Sequence, residues 1–290
     1  MEMNVSTQEE QVVAKKVGGL NPAIIIPILF VVGVCIYLFI FGNPSNFQKP
    51  EQFEGAMSVA FSNVESKGIE PADGSIPGTI YKGGPIVPIL ITFMMTVLVF
   101  SIERFLVLGK AAGAGNLDVF VNKIRGLLNK NKVDEALEEC DAQKGSVGNV
   151  VKEGLTTYKA LAHDTTLNKE QKMVALTKAI EEATTLEMPM LEKNMMILST
   201  LGTVATLVAL LGTVLGMIRA FAALGGGGGT PDAAALSTGI SEALINTALG
   251  IGTSAIAIIL YNFFTSKIDG LTYKIDEISM SIQQSFAEFH

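Results

Sequence analysis

Charged residues vanish from four stretches of the chain and gather between them. The first uncharged run extends from Val17 to Gln48, with a dense apolar block from Ile24 to Phe41. The second covers Gly83 to Ile102 and ends at Glu103 and Arg104. The third runs from Asn194 to Ile218 and the fourth from Ala243 to Ser266. A helix needs about 20 apolar residues to cross the hydrocarbon core of a bilayer, and each run is long enough. The pattern predicts an all-α integral membrane protein with four transmembrane helices, at 20–42, 84–108, 194–224 and 233–266. Pro22 and Pro27 interrupt the start of the first, which leaves a partly interfacial helix open there. That run begins after a net-acidic leader and is not followed by a small-residue cleavage site, so it is expected to stay as an anchor.

Between the runs the pattern turns amphipathic. In the segment 109–193, Leu117, Phe120, Val121, Ile124, Leu127 and Leu128 recur at helical spacing behind a possible cap, Asn116. Val133–Cys140 and Val147–Leu161 predict two further helices. Asn168 to Asn194 reads as one long helix, with Met173, Leu176, Ile180, Ala183 and Leu191 near one stripe. No glycine separates it from the third span and only Pro189 suggests a kink, so a stiff helix continuing into the membrane is expected. The C-terminal stretch 267–290 is expected to form another helix outside the membrane.

Basic residues set the orientation. Lys15 and Lys16 precede the first run; Arg104, Lys110, Lys123 and Arg125 follow the second; Lys267 and Lys274 follow the fourth. With four spans this predicts a cytoplasmic tail 1–19, a cytoplasmic helical domain 109–193 and a cytoplasmic C-terminus. The Pro-, Ser- and Asn-rich loop 43–83 and the glycine-rich turn 225–232 then lie on the periplasmic side.

Composition narrows the function. Only 17% of residues are charged, against about a quarter in soluble chains. A net charge of −7 argues against nucleic-acid binding, which relies on a basic face. Two cysteines, Cys35 and Cys140, form neither a disulfide framework nor a metal site. The two histidines, His163 and His290, suggest no nucleophile–base pair. The run Gly225–Gly229 lacks the Lys-Ser/Thr pair of a phosphate-binding loop and reads as a flexible turn. No enzyme, cofactor or metal is expected, and any work must draw on an ion gradient or a partner.

The last two spans carry the chemistry. Ser199, Thr203, Thr206 and Thr213 fall within an arc of roughly 80° on the third span. Thr247 and Ser254 share one side of the fourth, with Asn246 and Thr253 nearby. Such hydroxyls either bond neighbouring helices or line a wet pore, and spacing alone leaves both open. Gly212 with Gly216, and Gly250 with Gly252, let helices approach closely in either case. If Thr230 and Pro231 start the fourth helix, Glu242 lies about three turns in, among small and apolar residues. An acid held inside the membrane is a functional candidate because burying its charge is costly; a carboxylate at the interface is the alternative. Arg219, at the outer end of the third span, is expected to be an interfacial anchor. One glutamate does not make an acid relay, which predicts a partner helix bearing a carboxylate, lodged in a pore formed by several copies of the chain.

The stretches LGTVATLVALLGTVLGMIRAF (201–221) and GISEALINTALGIGTSAIAIILYNFF (239–264) resemble the MotA/TolQ/ExbB proton-channel family, and its ExbB branch most. The GTV-x-GMI, ISEAL-x-x-TA-x-G and YN-x-F runs carry the resemblance, which extends from about Phe105 to the C-terminus. It implies a homopentamer in the bacterial inner membrane around a dimer of a single-span ExbD-like partner that brings an aspartate. Proton flow past that aspartate would turn the partner and energise a TonB-like protein, and with it outer-membrane transport. A TolQ-like energiser of another envelope system, or a non-conducting scaffold, is the alternative. The motif match gives Thr213, Glu242 and Thr247 pore-lining roles; Thr206 and Ser254 join them on spacing. Thr206 stands where the family often has proline, and Ala255, Ile256 and Ala257 lack the proline of the family's A-I-P-A. The first span is an addition to the family's three, and a peripheral place in each subunit is inferred for it.

Overall fold

The computed structural model describes residues 20–48, 71–72, 74–225 and 233–289. Among these the chain is helical throughout, with one isolated β-bridge between Phe47 and Pro71. The helices are α1 (Pro22–Cys35), α2 (Ile76–Tyr81), α3 (Val87–Ala111), α4 (Leu117–Leu128), α5 (Val133–Gln143), α6 (Gly145–His163), α7 (Lys169–Glu192), α8 (Met195–Gly225) and α9 (Ala233–Phe289). A π-helical turn, Ile36–Phe41, extends α1, and a 3₁₀ turn, Gly84–Ile86, leads into α3. Four segments are long and apolar enough to cross a membrane: Pro22–Phe41, Gly84–Ala111, Met195–Ala222 and the apolar part of α9. The protein is an all-α, multi-pass membrane protein. Most of loop 43–83 and residues 226–232 of the turn, with the Thr230–Pro231 cap, lie outside the described residues.

Small residues bring α8 and α9 together as an antiparallel hairpin. A side chain at Gly216 would meet the Gly239 carbonyl at 2.8 Å, and one at Gly250 would overlap Ala209. Helices pack this closely in lipid only where side chains are small. α1 lies along α3, where Gly33 faces Thr92; its other faces expose Ile24, Ile28, Phe30 and Val31.

Helices α4 to α7 and the far half of α9 form an amphipathic bundle with one apolar core. Asn116 caps α4 by accepting from the Asp118 amide at 2.8 Å, and Asn168 opens α7 with a reciprocal capping box to Gln171. Phe120, Ile124, Leu155, Leu176, Ile180, Ile278 and Ile282 fill the interior. Tyr158 meets Phe286 edge-on at 4.9 Å.

The expected continuous helix from α7 into the membrane is corrected. Lys193 leaves helical geometry (φ −50°, ψ 137°) and Asn194 takes φ 62°, a left-handed conformation that asparagine tolerates better than most residues. Arg104, fully buried in α3, donates to the Met190 and Leu191 carbonyls that the helix end leaves free, at 3.3 and 3.4 Å. Pro189 lies inside α7 and does not end it. The element that does run unbroken between the two regions is α9, whose 57 residues join the membrane hairpin to the bundle.

Candidate functional site

The hairpin places the sequence-derived residues on two sides of one seam. On one side Thr213 and Thr247 share a hydroxyl–hydroxyl hydrogen bond, and each can also donate to the carbonyl four residues back in its helix. Thr206, Thr203 and Ser199 continue from Thr213 along an exposed face of α8. Their stripe is therefore open to whatever stands beside the hairpin. Ser254 is placed differently: it is buried and donates to the Gly202 carbonyl, a helix-packing contact.

Glu242 occupies the other side. Thr247 lies five positions further on, about 140° around the helix. The Glu242 carboxylate is only 2% exposed and accepts from Arg219 Nη1 at 2.6 and 2.8 Å. Arg219 is thus the counter-charge of Glu242, which corrects its expected role as an interfacial anchor. The reason is reach: a long guanidinium-bearing side chain on α8 spans the seam, and a desolvated carboxylate needs a partner. Gly84, with φ +74°, lies against the same carboxylate, and a side chain there would overlap Glu242 Oε1. Glu242 is consequently enclosed by α8, α9 and the turn leading into α3.

Between the two sides sits Asn246, fully buried, with neither amide atom hydrogen-bonded among the described residues. It packs on Gly212, where a side chain would meet its Cγ and Nδ2 at 2.9 Å.

Two contributors were not legible as site residues. Arg219 lay at a span end, where anchors are common. Gly84 belongs to a connection with no periodic signal, and contact across about 160 residues leaves no local trace. Tyr81, three residues before Gly84, is buried, which pushes its phenol up to about 12.

Comparison with known proteins adds the context. A family model described as the MotA/TolQ/ExbB proton channel family matches residues 143–277. Over those residues, just under half of the chain, it is similar to the MotA/TolQ/ExbB proton channel family. An ExbB-like biopolymer transport protein of Synechocystis sp. is 34% identical over 113 residues, which cover 39% of this chain and 54% of that protein. The biopolymer transport protein ExbB of Xanthomonas campestris is 35% identical over 110 residues, 38% of this chain and 43% of the relative. The Tol-Pal system protein TolQ of Pseudomonas aeruginosa is 26% identical over 186 residues, 61% of this chain and 79% of TolQ. The chain thus spans about half the length of these two ExbB-type relatives. The family segment contains α6, α7, α8, most of α9 and the residues Thr213, Arg219, Glu242 and Thr247. α1, α2 and α3, with Gly84 and Tyr81, lie outside it.

Proposed function

We propose that this chain is the channel-forming subunit of an inner-membrane motor driven by the proton-motive force. Five copies surround a dimer of a single-span, ExbD-like partner, and the partner's carboxylate alternates between protonated and charged states as protons pass. The observation that carries the reading is Glu242, a buried carboxylate in the α8–α9 hairpin paired with Arg219, inside the family-matched segment. The open hydroxyl stripe from Ser199 to Thr213 supports it, because it offers hydrogen bonds without competing charge. Thr213, Thr247 and Thr206 line the path; Ser254 is a packing residue that keeps the hairpin in register.

The N-terminus, the α4–α7 bundle and the C-terminus are cytoplasmic in this reading, supported by the lysines and arginines that flank the spans. The long helix α9 then carries motion from the pore to the bundle, where the Arg125–Glu277 pair, at 2.9 Å, ties it to α4. A TonB-like protein receives the work. TolQ-like service to another envelope system is the second reading, favoured by the match that covers most of TolQ's length.

Native mass spectrometry of the chain, alone and co-expressed with a single-span acidic partner, tests the assembly. Five copies that gain two partner chains support the motor; a monomer or dimer that ignores the partner contradicts it.

A further inference from the structure

The segment in contact with Glu242 lies outside the family match, and its support comes from α1. A side chain at Gly83 would meet Ile245 Cγ2 at 2.8 Å and one at Gly84 would overlap Glu242, so the Gly83–Gly84 turn lies directly on α9. Tyr81, two residues before Gly83, is held by the segment that follows α1. The Tyr37 ring stacks on the Tyr81 ring at 4.6 Å with planes 15° apart, and the Tyr37 hydroxyl donates to the Tyr81 carbonyl at 3.1 Å. Phe47 closes the cluster edge-on against Tyr81 at 5.8 Å. Phe47 and Tyr81 are both buried.

Tyr37 belongs to the π-helical turn Ile36–Phe41. Such turns are rare and cost hydrogen-bond geometry, so they persist where they re-aim a side chain. This one sets Tyr37 on Tyr81, and the Gly42 amide closes it onto the Tyr37 carbonyl at 2.9 Å.

We propose that α1 is a working part of the Glu242 site: Tyr37, acting through Tyr81, clamps the Gly83–Gly84 turn over the Glu242–Arg219 pair and so positions the carboxylate and shields it. Tyr37 is a positioning residue and exchanges no proton in this role. The functional weight of the clamp rests on the reading of Glu242 as an ion-pathway residue; its existence does not.

The test is labelling of Glu242 by dicyclohexylcarbodiimide in the assembled, detergent-solubilised complex, read by peptide mass. The reagent adds only to a protonated carboxyl that it can reach, so the rate reports release of Glu242 from its enclosure. Tyr37→Ala is expected to raise Glu242 labelling about tenfold, and Tyr37→Phe, which keeps the ring and loses the hydroxyl, about threefold. Labelling of Glu103, which pairs with Arg104 at 2.7 Å far from the clamp, should stay at the wild-type rate. Wild-type labelling of Glu242 in both variants would overturn the clamp. If Tyr37→Ala does not assemble, Tyr37→Phe decides alone by the same criterion. Labelling is read without ion flux, so a complex that labels as expected but drives no gradient-dependent work upholds the clamp and removes the motor.

Discussion

Arg219 and Glu242 close an ion pair across the α8–α9 seam at 2.6 Å, on the side of α9 turned away from Thr247. The carboxylate is buried while the arginine remains 41% exposed. Half of the pair is thus desolvated, and removing one partner differs sharply from removing both. Arg219→Gln leaves a buried charge unpaired and should destabilise the complex by roughly 1–3 kcal/mol, less than a fully buried pair because Arg219 reaches solvent. The double change Arg219→Gln with Glu242→Gln should restore most of that loss. Thermal melts of the three variants measure the coupling; additive losses would mean that the pair does not form.

The hydroxyl pair makes a different demand. Thr213→Ala with Thr247→Ala removes one interhelical bond and should cost about 1 kcal/mol or less of stability. Ion-driven work should nevertheless fall by at least about tenfold, because the proposed path loses the hydroxyls of Thr213 and Thr247. Growth dependent on that work, compared with the amount of assembled complex, separates the two effects.

Asn246 is expected to weaken the hairpin as it stands. A buried amide with no partner costs about 1–3 kcal/mol, so Asn246→Leu, which keeps the branched shape at a larger volume against Gly212, should raise the melting temperature. A lower melting temperature would mean that the amide is paired in the working protein.

At the other end of the membrane helices, Arg104 joins α3 to the end of α7, and Asn194 donates from the α7–α8 break to Glu103 at 3.2 Å. Arg104→Ala strands the Glu103 carboxylate and two helix-end carbonyls, and should cost about 3–5 kcal/mol and most of the folded protein. Asn194→Gly keeps the left-handed backbone and loses the side-chain hydrogen bonds to the Glu103 carboxylate and the Leu20 carbonyl, so it should cost about 1–2 kcal/mol. Yields of folded protein distinguish the two.

Cys140 provides a pH test of the bundle. Burial, with the nearby Asp141, pushes its thiol up to about 12. A raised value keeps the neutral thiol as pH rises through the ordinary range near 8.5. Maleimide should therefore leave Cys140 unmodified at pH 7 to 9 in the folded protein and react after denaturation. Rapid reaction of the folded protein at pH 8 would show that α5 and α6 open.

The four spans and the bundle helices were legible because each follows a periodic or uninterrupted apolar pattern, such as Phe120, Val121 and Ile124 on α4. Asn116 and Asn168 were legible as caps or starts by residue type. The break at Asn194 was not, because a single asparagine among helix formers carries no periodic signal, and its partner Arg104 lies about 90 residues earlier. Thr213 and Thr247 were visible as a spacing and a motif. The enclosure of Glu242 was not, since it depends on Gly84 and Tyr37 arriving from distant segments, and on Arg219 reaching across a helix pair.

The most direct measurement is proton flux in proteoliposomes holding the chain with its single-span partner, followed by a pH-sensitive dye under an imposed potential. The account predicts dye-reported flux with the wild-type chain and its loss with Glu242→Gln at equal amounts of assembled complex. Equal flux from the two complexes would contradict it.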